Sequence, residues 1–308
     1  MSGKAKIPQR GVAVVLAMGV AALAAIAATA ILVTQSTWAR QAELAANHAQ
    51  AQFVVQAGMD WARAVLSDDR RSSRVDHLAE PWALRLAPMP VENGKIVGYI
   101  EDEQGRFNLN NLVKDGKVSL AQLAQFRRLL ATLGLPTALA DSLADWLDAD
   151  SAPQPGSGAE DKHYMTLQPP YLAANRTLVD VAELVLVHGF DDNVRTRLRA
   201  FVTALPRYTA VNVNTAPGEV LAAIIDGLDL DAARALAAQR TRTYFRDRAD
   251  FRARLPRELR SAESDITVSS DYFTARMSAS IGGAQAHGTV LLARQGAGWP
   301  EIVWRKSL

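Results

Sequence analysis

The sequence predicts an α+β fold in which one long N-terminal helix packs on an antiparallel sheet, and a large helical insertion divides that sheet. Three observations predict it. An uncharged apolar run near the N-terminus passes into an amphipathic helical repeat, alternating strand-like segments lie toward both ends of the chain, and apolar-periodic helices fill the middle. With 308 residues, 49% of them hydrophobic, the chain can bury a sizeable core in one large or two to three small domains. Its formal net charge of +2 does not suggest a nucleic-acid binder. Cysteine is absent, so neither disulfides nor thiolate metal sites hold the fold, and an extracytoplasmic chain would need another staple.

The first element begins behind KIPQRG. Val12 to Val33 carries no charge and as a helix spans about 33 Å, enough for a hydrocarbon core of roughly 30 Å. Lys4, Lys6 and Arg10 precede it, which predicts a cytoplasmic N-terminus and an outward chain after residue 34, in the periplasm of a Gram-negative cell. The run exceeds a signal-peptide core, although its alanine-rich half (AALAAIAATA) offers small-residue sites at which a signal could be cut. Trp38, Ala42, Ala45, Ala49, Phe53, Ala57, Trp61 and Ala64 continue at spacings of three and four, so the helix is expected to leave the membrane unbroken and stop near Ser67, where SDD supplies turn residues. Gly19, Ala22, Ala25 and Ala28 permit close helix packing in lipid, or simply line an alanine-rich anchor.

A basic leader ending in glycine, then a helix apolar in its first half and amphipathic in its second, resembles the N-terminus of type IV pilins and pseudopilins. The resemblance implies cleavage by a prepilin peptidase between Gly11 and Val12 and methylation of Val12. Loss of residues 1–11 would remove three basic side chains and leave a net charge of −1. The family pattern has Glu at the fifth mature position, where this chain has Leu16. A buried carboxylate needs a partner, and in the family that partner is the terminal amine of the subunit ahead. A subunit with Leu16 offers nothing to a neighbour ahead and would best occupy a tip.

Beyond the helix, WALRLAP (82–88), an Asn93-Gly94 turn and KIVGYIEDEQGRFNLNNL (95–112) read as strands, as do 266–281, 286–294 and 299–305. The expected β domain is therefore 69–112 with 264–308. Between them, SLAQLAQFRRLLATLGL, ALADSLADWLDAD and DVAELVLVHG form a first helical unit (113–205), and VNVNTA with two short helices a second (206–263). The second resembles a helix-hairpin-helix or SAM-like unit, which raises an alternative function: a membrane-anchored periplasmic DNA-binding module. DNA-binding hairpins offer backbone amides to phosphate, but Gly227-Leu228-Asp229-Leu230-Asp231 places carboxylates there. Arg240, Arg242, Arg246, Arg248, Arg252, Arg254, Arg257 and Arg260 are interleaved by Asp247, Asp250, Glu258 and Glu263. They read as a solvated face or as a contact surface.

In order and spacing, QRGVAVV with Leu16, EDEQGRFNLNNL, DWLDADSAPQPGSGAEDKHY, PPYLAAN and VNVNTAP resemble one family over essentially the whole chain: the minor pseudopilin K, or general secretion pathway protein K, of type II secretion. The resemblance implies a type IV pilin-like fold and a non-enzymatic role. The subunit would cap a pseudopilus tip with minor pseudopilins I and J, and through them meet H and the major pseudopilin G. It would prime assembly on the inner-membrane platform.

No basic residue lies between Arg128 and Lys162, whereas Asp141, Asp145, Asp148, Asp150, Glu160 and Asp161 all do. Asp141, Asp145 and Asp148 share a helix face, and the last sits at a helix C-terminus, where negative charge is disfavoured. Folding of the SAPQPGSGA loop could bring Glu160 and Asp161 toward Asp148 and Asp150, a hard oxygen set suited to Ca²⁺ rather than zinc. Spacing alone leaves a solvated acidic loop equally open. The family resemblance implies calcium in the helical insertion, with Asp148, Asp150, Glu160 and Asp161 as ligands and Asp145 beside them. His48, His77, His163, His188 and His287 are scattered, and no nucleophile elbow or phosphate loop is present. His163 beside Asp161 reads as a polar surface pair, and no catalysis is expected.

Overall fold

The structure, a computed structural model, describes residues 10–85, 87–256, 259, 264–296 and 298–307. Most of the leader, with Lys4 and Lys6, lies outside these residues, as do Arg257, Glu258, Arg260 and Glu263 of the basic run. Helix α1, Arg10–Ser72, is unbroken over 63 residues, about 94 Å at 1.5 Å per residue. It overruns the expected stop at Ser67 by more than a turn. Arg70 and Arg71 in its last turn complement the negative helix end, and Asp69 is held by Arg294 at 2.6 Å.

The strands β1 (Met89–Val91), β2 (Gly94–Asp102), β3 (Tyr272–Ile281), β4 (Ala284–Ala293) and β5 (Glu301–Ser307) form one five-stranded antiparallel sheet in that order. Asn93 takes φ 59° at the tip of the β1–β2 hairpin, the left-handed conformation that an Asn-Gly turn supplies. Register places Ile96 opposite Ala279 and Ala279 opposite Ala286, while Ile100 faces Ala275 and Ala275 faces Val290. That face packs on Ala51, Val55, Met59, Ala62 and Leu66 of α1, and each larger side chain buried there is worth about 1.5–3 kcal/mol. Close approach rests on glycine: a Cβ on Gly58 would lie 2.8 Å from Ile96 Cδ1, and one on Gly288 2.1 Å from Met59 Cε.

Four expected elements differ. The described residues of WALRLAP form no strand; Pro81–Ala83 is a 3₁₀ turn, and Trp82 plugs the space between α1 and the sheet, edge-on to Phe273 at 5.1 Å with its Nε1 donating to Glu80 Oε2 at 2.9 Å. The strand expected over 95–112 ends at Asp102, whose carboxylate accepts from Gln104 N at 2.8 Å and turns the chain into 3₁₀ segments. The strand expected over 266–281 is broken: Ile266–Thr267 pairs in parallel with Val211–Asn212, and β3 starts only at Tyr272. DVAELVLVHG is a 3₁₀ helix, Val181–Leu186, with an Asp180/Glu183 capping box; three valines in this stretch disfavour a longer α-helix.

The insertion between β2 and β3 holds α2 (Leu120–Thr132), α3 (Leu139–Leu147), α4 (Asp161–Tyr164) and α5 (Asp192–Leu198), then α6 (Gly218–Ile224), α7 (Leu230–Gln239) and α8 (Arg248–Ala253). One hydrophobic core runs through both units, from Phe107 and Phe126 to Val220, Leu221, Phe245 and Phe251. The asparagines of NLNNL and VNVN act as staples in this cysteine-free chain. Asn110 Nδ2 donates to the Leu178 and Leu205 carbonyls, both at 2.9 Å, and Asn111 Nδ2 to Thr209 O at 2.8 Å. Asn212 Nδ2 reaches Asp76 O, Asp102 Oδ2 and Ser270 Oγ at 3.0–3.1 Å, tying the second unit to the end of the sheet.

Candidate functional site

Two features stand out after folding: an acidic cluster in the insertion, and a long helix much of whose apolar surface is uncovered. At the acidic cluster, α3 ends at Leu147 and Asp148 leaves it in an extended conformation. The following loop returns over α3: Ser142 Oγ donates to Ser157 O at 3.0 Å, and Gly158 packs so closely that a Cβ there would sit 2.2 Å from Asp145 Oδ2. The return delivers Glu160 to the last turn of α3. Ligand oxygens of Asp148, Asp150 and Glu160 lie within 4.8 Å of one another.

The electrostatics of this triplet are unusual. Asp148 and Glu160 are only 1% and 6% exposed, yet Asp148 Oδ1 and both Glu160 oxygens have no hydrogen-bond partner. Burial, reinforced by the neighbouring carboxylates, pushes the Asp148 carboxyl up to about 6 and that of Glu160 up to about 7. Buried, unpartnered carboxylates facing one another are costly. The residues fit a bound hard cation: three oxygen donors converge, with neither His nor Cys among them.

Asp145 and Asp161 take other partners. Asp145, wholly buried and with its carboxyl raised by burial, accepts from Gln154 N at 3.0 and 3.2 Å and so pins the loop. Asp161 Oδ1 accepts from Ala173 N at 2.9 Å. Asp141 turns to Arg127 of α2, although the two lie on separate helices. An aromatic layer supports the cluster, with Trp146 edge-on to Tyr164 at 5.0 Å and Tyr164 stacked on Tyr171 at 5.3 Å.

A second acidic group was not anticipated from the sequence. Asp69, Asp76 and Glu80 converge at the end of α1, but here Arg294, 1% exposed, bridges Asp69 and Asp76 and donates to Ser270 O at 2.8 Å. A lone arginine closing an apolar strand (VLLAR) was the only sequence signal for it.

Along α1, Val12 and Leu16 are 71% and 69% exposed. Gly11 has no neighbour within 4 Å of a built Cβ. Among the described residues, one helix, α1, is long and apolar enough to cross a membrane, and its most apolar stretch is unburied. Trp38 and Phe53 are exposed, Phe53 on the side of α1 away from Ala51 and Val55, whereas Trp61, 42% exposed, borders an apolar groove with Met89, Ile96 and Met277 of the sheet. At the hairpin of the second unit, Asp229 caps α7 by accepting from Ala232 N at 2.8 Å. Several arginines in and around the basic run pair with carboxylates, among them Arg234–Glu219 and Arg254–Asp250.

The chain was compared with known proteins. Residues 105–207 and 211–269 match the models of the family described as type II secretion system (T2SS), protein K. A type II secretion system protein K of Pseudomonas aeruginosa is 38% identical over 89% of this chain and 85% of its own length. One from Klebsiella pneumoniae is 33% identical over 94% of this chain and 93% of its own. Among solved structures, the GspK-GspI-GspJ complex from the type 2 secretion system of enterotoxigenic Escherichia coli contains a chain that superposes with a TM-score of 0.74 at 27% identity, covering 89% of this chain and 99% of that one. The pilin-like stem, the helical insertion and the matched segments together place this chain in the type II secretion system protein K family.

Proposed function

We propose that this chain is a non-enzymatic minor pseudopilin that caps the tip of a type II secretion pseudopilus. The observation that carries the reading is the long helix α1: it is covered by its own sheet only on one face of its second half and leaves Phe53 and Trp61 exposed for partner helices. The related GspK was solved together with GspI and GspJ, which supports the corresponding minor pseudopilins as partners here, and through them H and the major pseudopilin G. Leu16, in place of the pilin glutamate, leaves no carboxylate for a subunit ahead, and the bulky insertion fits where nothing stacks above it. The chain would be cut between Gly11 and Val12 by prepilin peptidase, methylated at Val12, and seated in the inner membrane with its folded part in the periplasm, where the complex primes assembly. Calcium held by Asp148, Asp150 and Glu160, with Asp161 and Asp145 shaping the loop, would serve as a structural clip.

The test is co-purification of the full chain with minor pseudopilins I and J from solubilised membranes. A stable ternary complex is expected, and a chain recovered alone at equal expression contradicts the reading. The acidic hairpin at Asp229 gives no support to the DNA-binding alternative, and tight, salt-sensitive DNA retention in a gel shift would reinstate it.

A further inference from the structure

The membrane half of α1 ends in a band, TQSTWA (34–39), that neither the apolar span nor the folded body accounts for. No charge occurs from Gly11 to Ala39, and Arg40 is the first charged residue after the span. Within the band, Thr34 Oγ1 donates to Ala30 O at 2.8 Å, Ser36 Oγ to Val33 O at 2.8 Å and Thr37 Oγ1 to Val33 O at 2.9 Å. Each hydroxyl is thus satisfied inside the helix, as a medium poor in water requires. Trp38 is 71% exposed. Among the described residues, the lowest hydrogen bond from α1 to the sheet is Asn47 Nδ2 to Gly282 O at 3.4 Å. That contact stands about 13 Å above Trp38 along the helix.

We infer that Trp38 is an interfacial anchor for the lipid headgroup layer, setting the depth at which the membrane-resident subunit sits. The inference rests on the membrane-spanning reading above. Tryptophan favours this layer because its ring is apolar and its indole N–H seeks a polar partner. The Trp38 Cα lies about 7.5 Å beyond Val33, and helical side chains lean back toward the N-terminus, which returns the ring to the headgroup level. From Gly11 to Trp38 the helix measures about 40 Å, against roughly 40–45 Å for a bilayer with both interfaces. With Trp38 at one interface, the Gly11–Val12 bond therefore lies at the other. The clearance below Asn47 leaves the headgroups room beneath the sheet.

Reconstituting the full chain in phosphatidylcholine vesicles tests this, using lipids brominated either near the headgroup or near the bilayer centre. Trp38 is one tryptophan of six. About a sixth of the fluorescence should be quenched, more strongly by the shallow bromines, and this component should vanish in Trp38→Ala while Trp61→Phe retains it. Trp61 lies about 34 Å further along the helix, and Trp38 touches nothing in the folded body, so both variants should float with vesicles and melt as the parent does. Flotation without a Trp38-dependent component, or with stronger quenching from the bilayer centre, overturns the inference alone. Failure of the parent chain to float overturns the membrane reading and the inference with it.

Discussion

Replacing Glu160 by Gln separates the charge of the acidic cluster from its shape. Burial and four neighbouring aspartates hold the Glu160 carboxyl at about 7, against an ordinary 4.5. At about 1.36 kcal/mol per pKa unit, keeping it ionised in the metal-free chain costs about 3 kcal/mol. The sign follows from linkage: the folded state binds this proton more tightly than the unfolded state. The associated stability is fully present below about pH 4.5 and is lost as pH rises through about 7. The metal-free chain should therefore melt higher near pH 5 than near pH 8. With calcium present, the carboxylate becomes a ligand, and free metal at about a thousand times its Kd adds roughly 4 kcal/mol. Glu160→Gln should then raise the Tm near pH 8 in EGTA by about 6–12 °C, taking roughly 2–4 °C per kcal/mol, and lower it relative to the parent in calcium. Scanning calorimetry of the full chain in detergent, in EGTA and in calcium, reads both. A parent Tm indifferent to EGTA, or a Gln variant no more stable than the parent without metal, refutes the reasoning.

Two further substitutions probe separate parts of the structure. Arg294→Ala strands the buried carboxylates of Asp69 and Asp76 and should cost about 3–5 kcal/mol, measured by urea unfolding. Phe53→Arg alters a position 75% exposed, so stability should change by less than about 1 kcal/mol, whereas co-purification with minor pseudopilins I and J should be weakened.

Much of this arrangement was readable from local pattern. Alternation marks β3 and β4, but the apolar stripe read along the helix, Ala42, Ala45, Ala49, Phe53, Ala57 and Trp61, is exposed, and a different face, Ala51, Val55, Ala62 and Leu66, meets the sheet. The strand misreadings share a cause: Trp82, Asp102 and Ile266 sit in stretches with strand-like composition, but a plug, a side-chain cap and a remote partner strand respectively decided their conformation. None of these is visible in nearest-neighbour spacing. In the acidic segment the sequence placed the carboxylates near one another, while their roles depended on loop closure. Backbone amides took Asp145 and Asp161, and Asp148 Oδ1 and both Glu160 oxygens were left without a hydrogen-bond partner. Of the Arg294 bridge, which joins positions 218 and 225 residues apart, local sequence showed only the arginine that closes an apolar strand and neither of its partners.

The measurement that tests the central claim most directly is the intact mass and N-terminal sequence of the chain from membranes of cells with and without prepilin peptidase. The account predicts a chain beginning at methylated Val12 only when the peptidase is present. A chain still carrying residues 1–11 in its presence, or one beginning beyond Ala30, would contradict it.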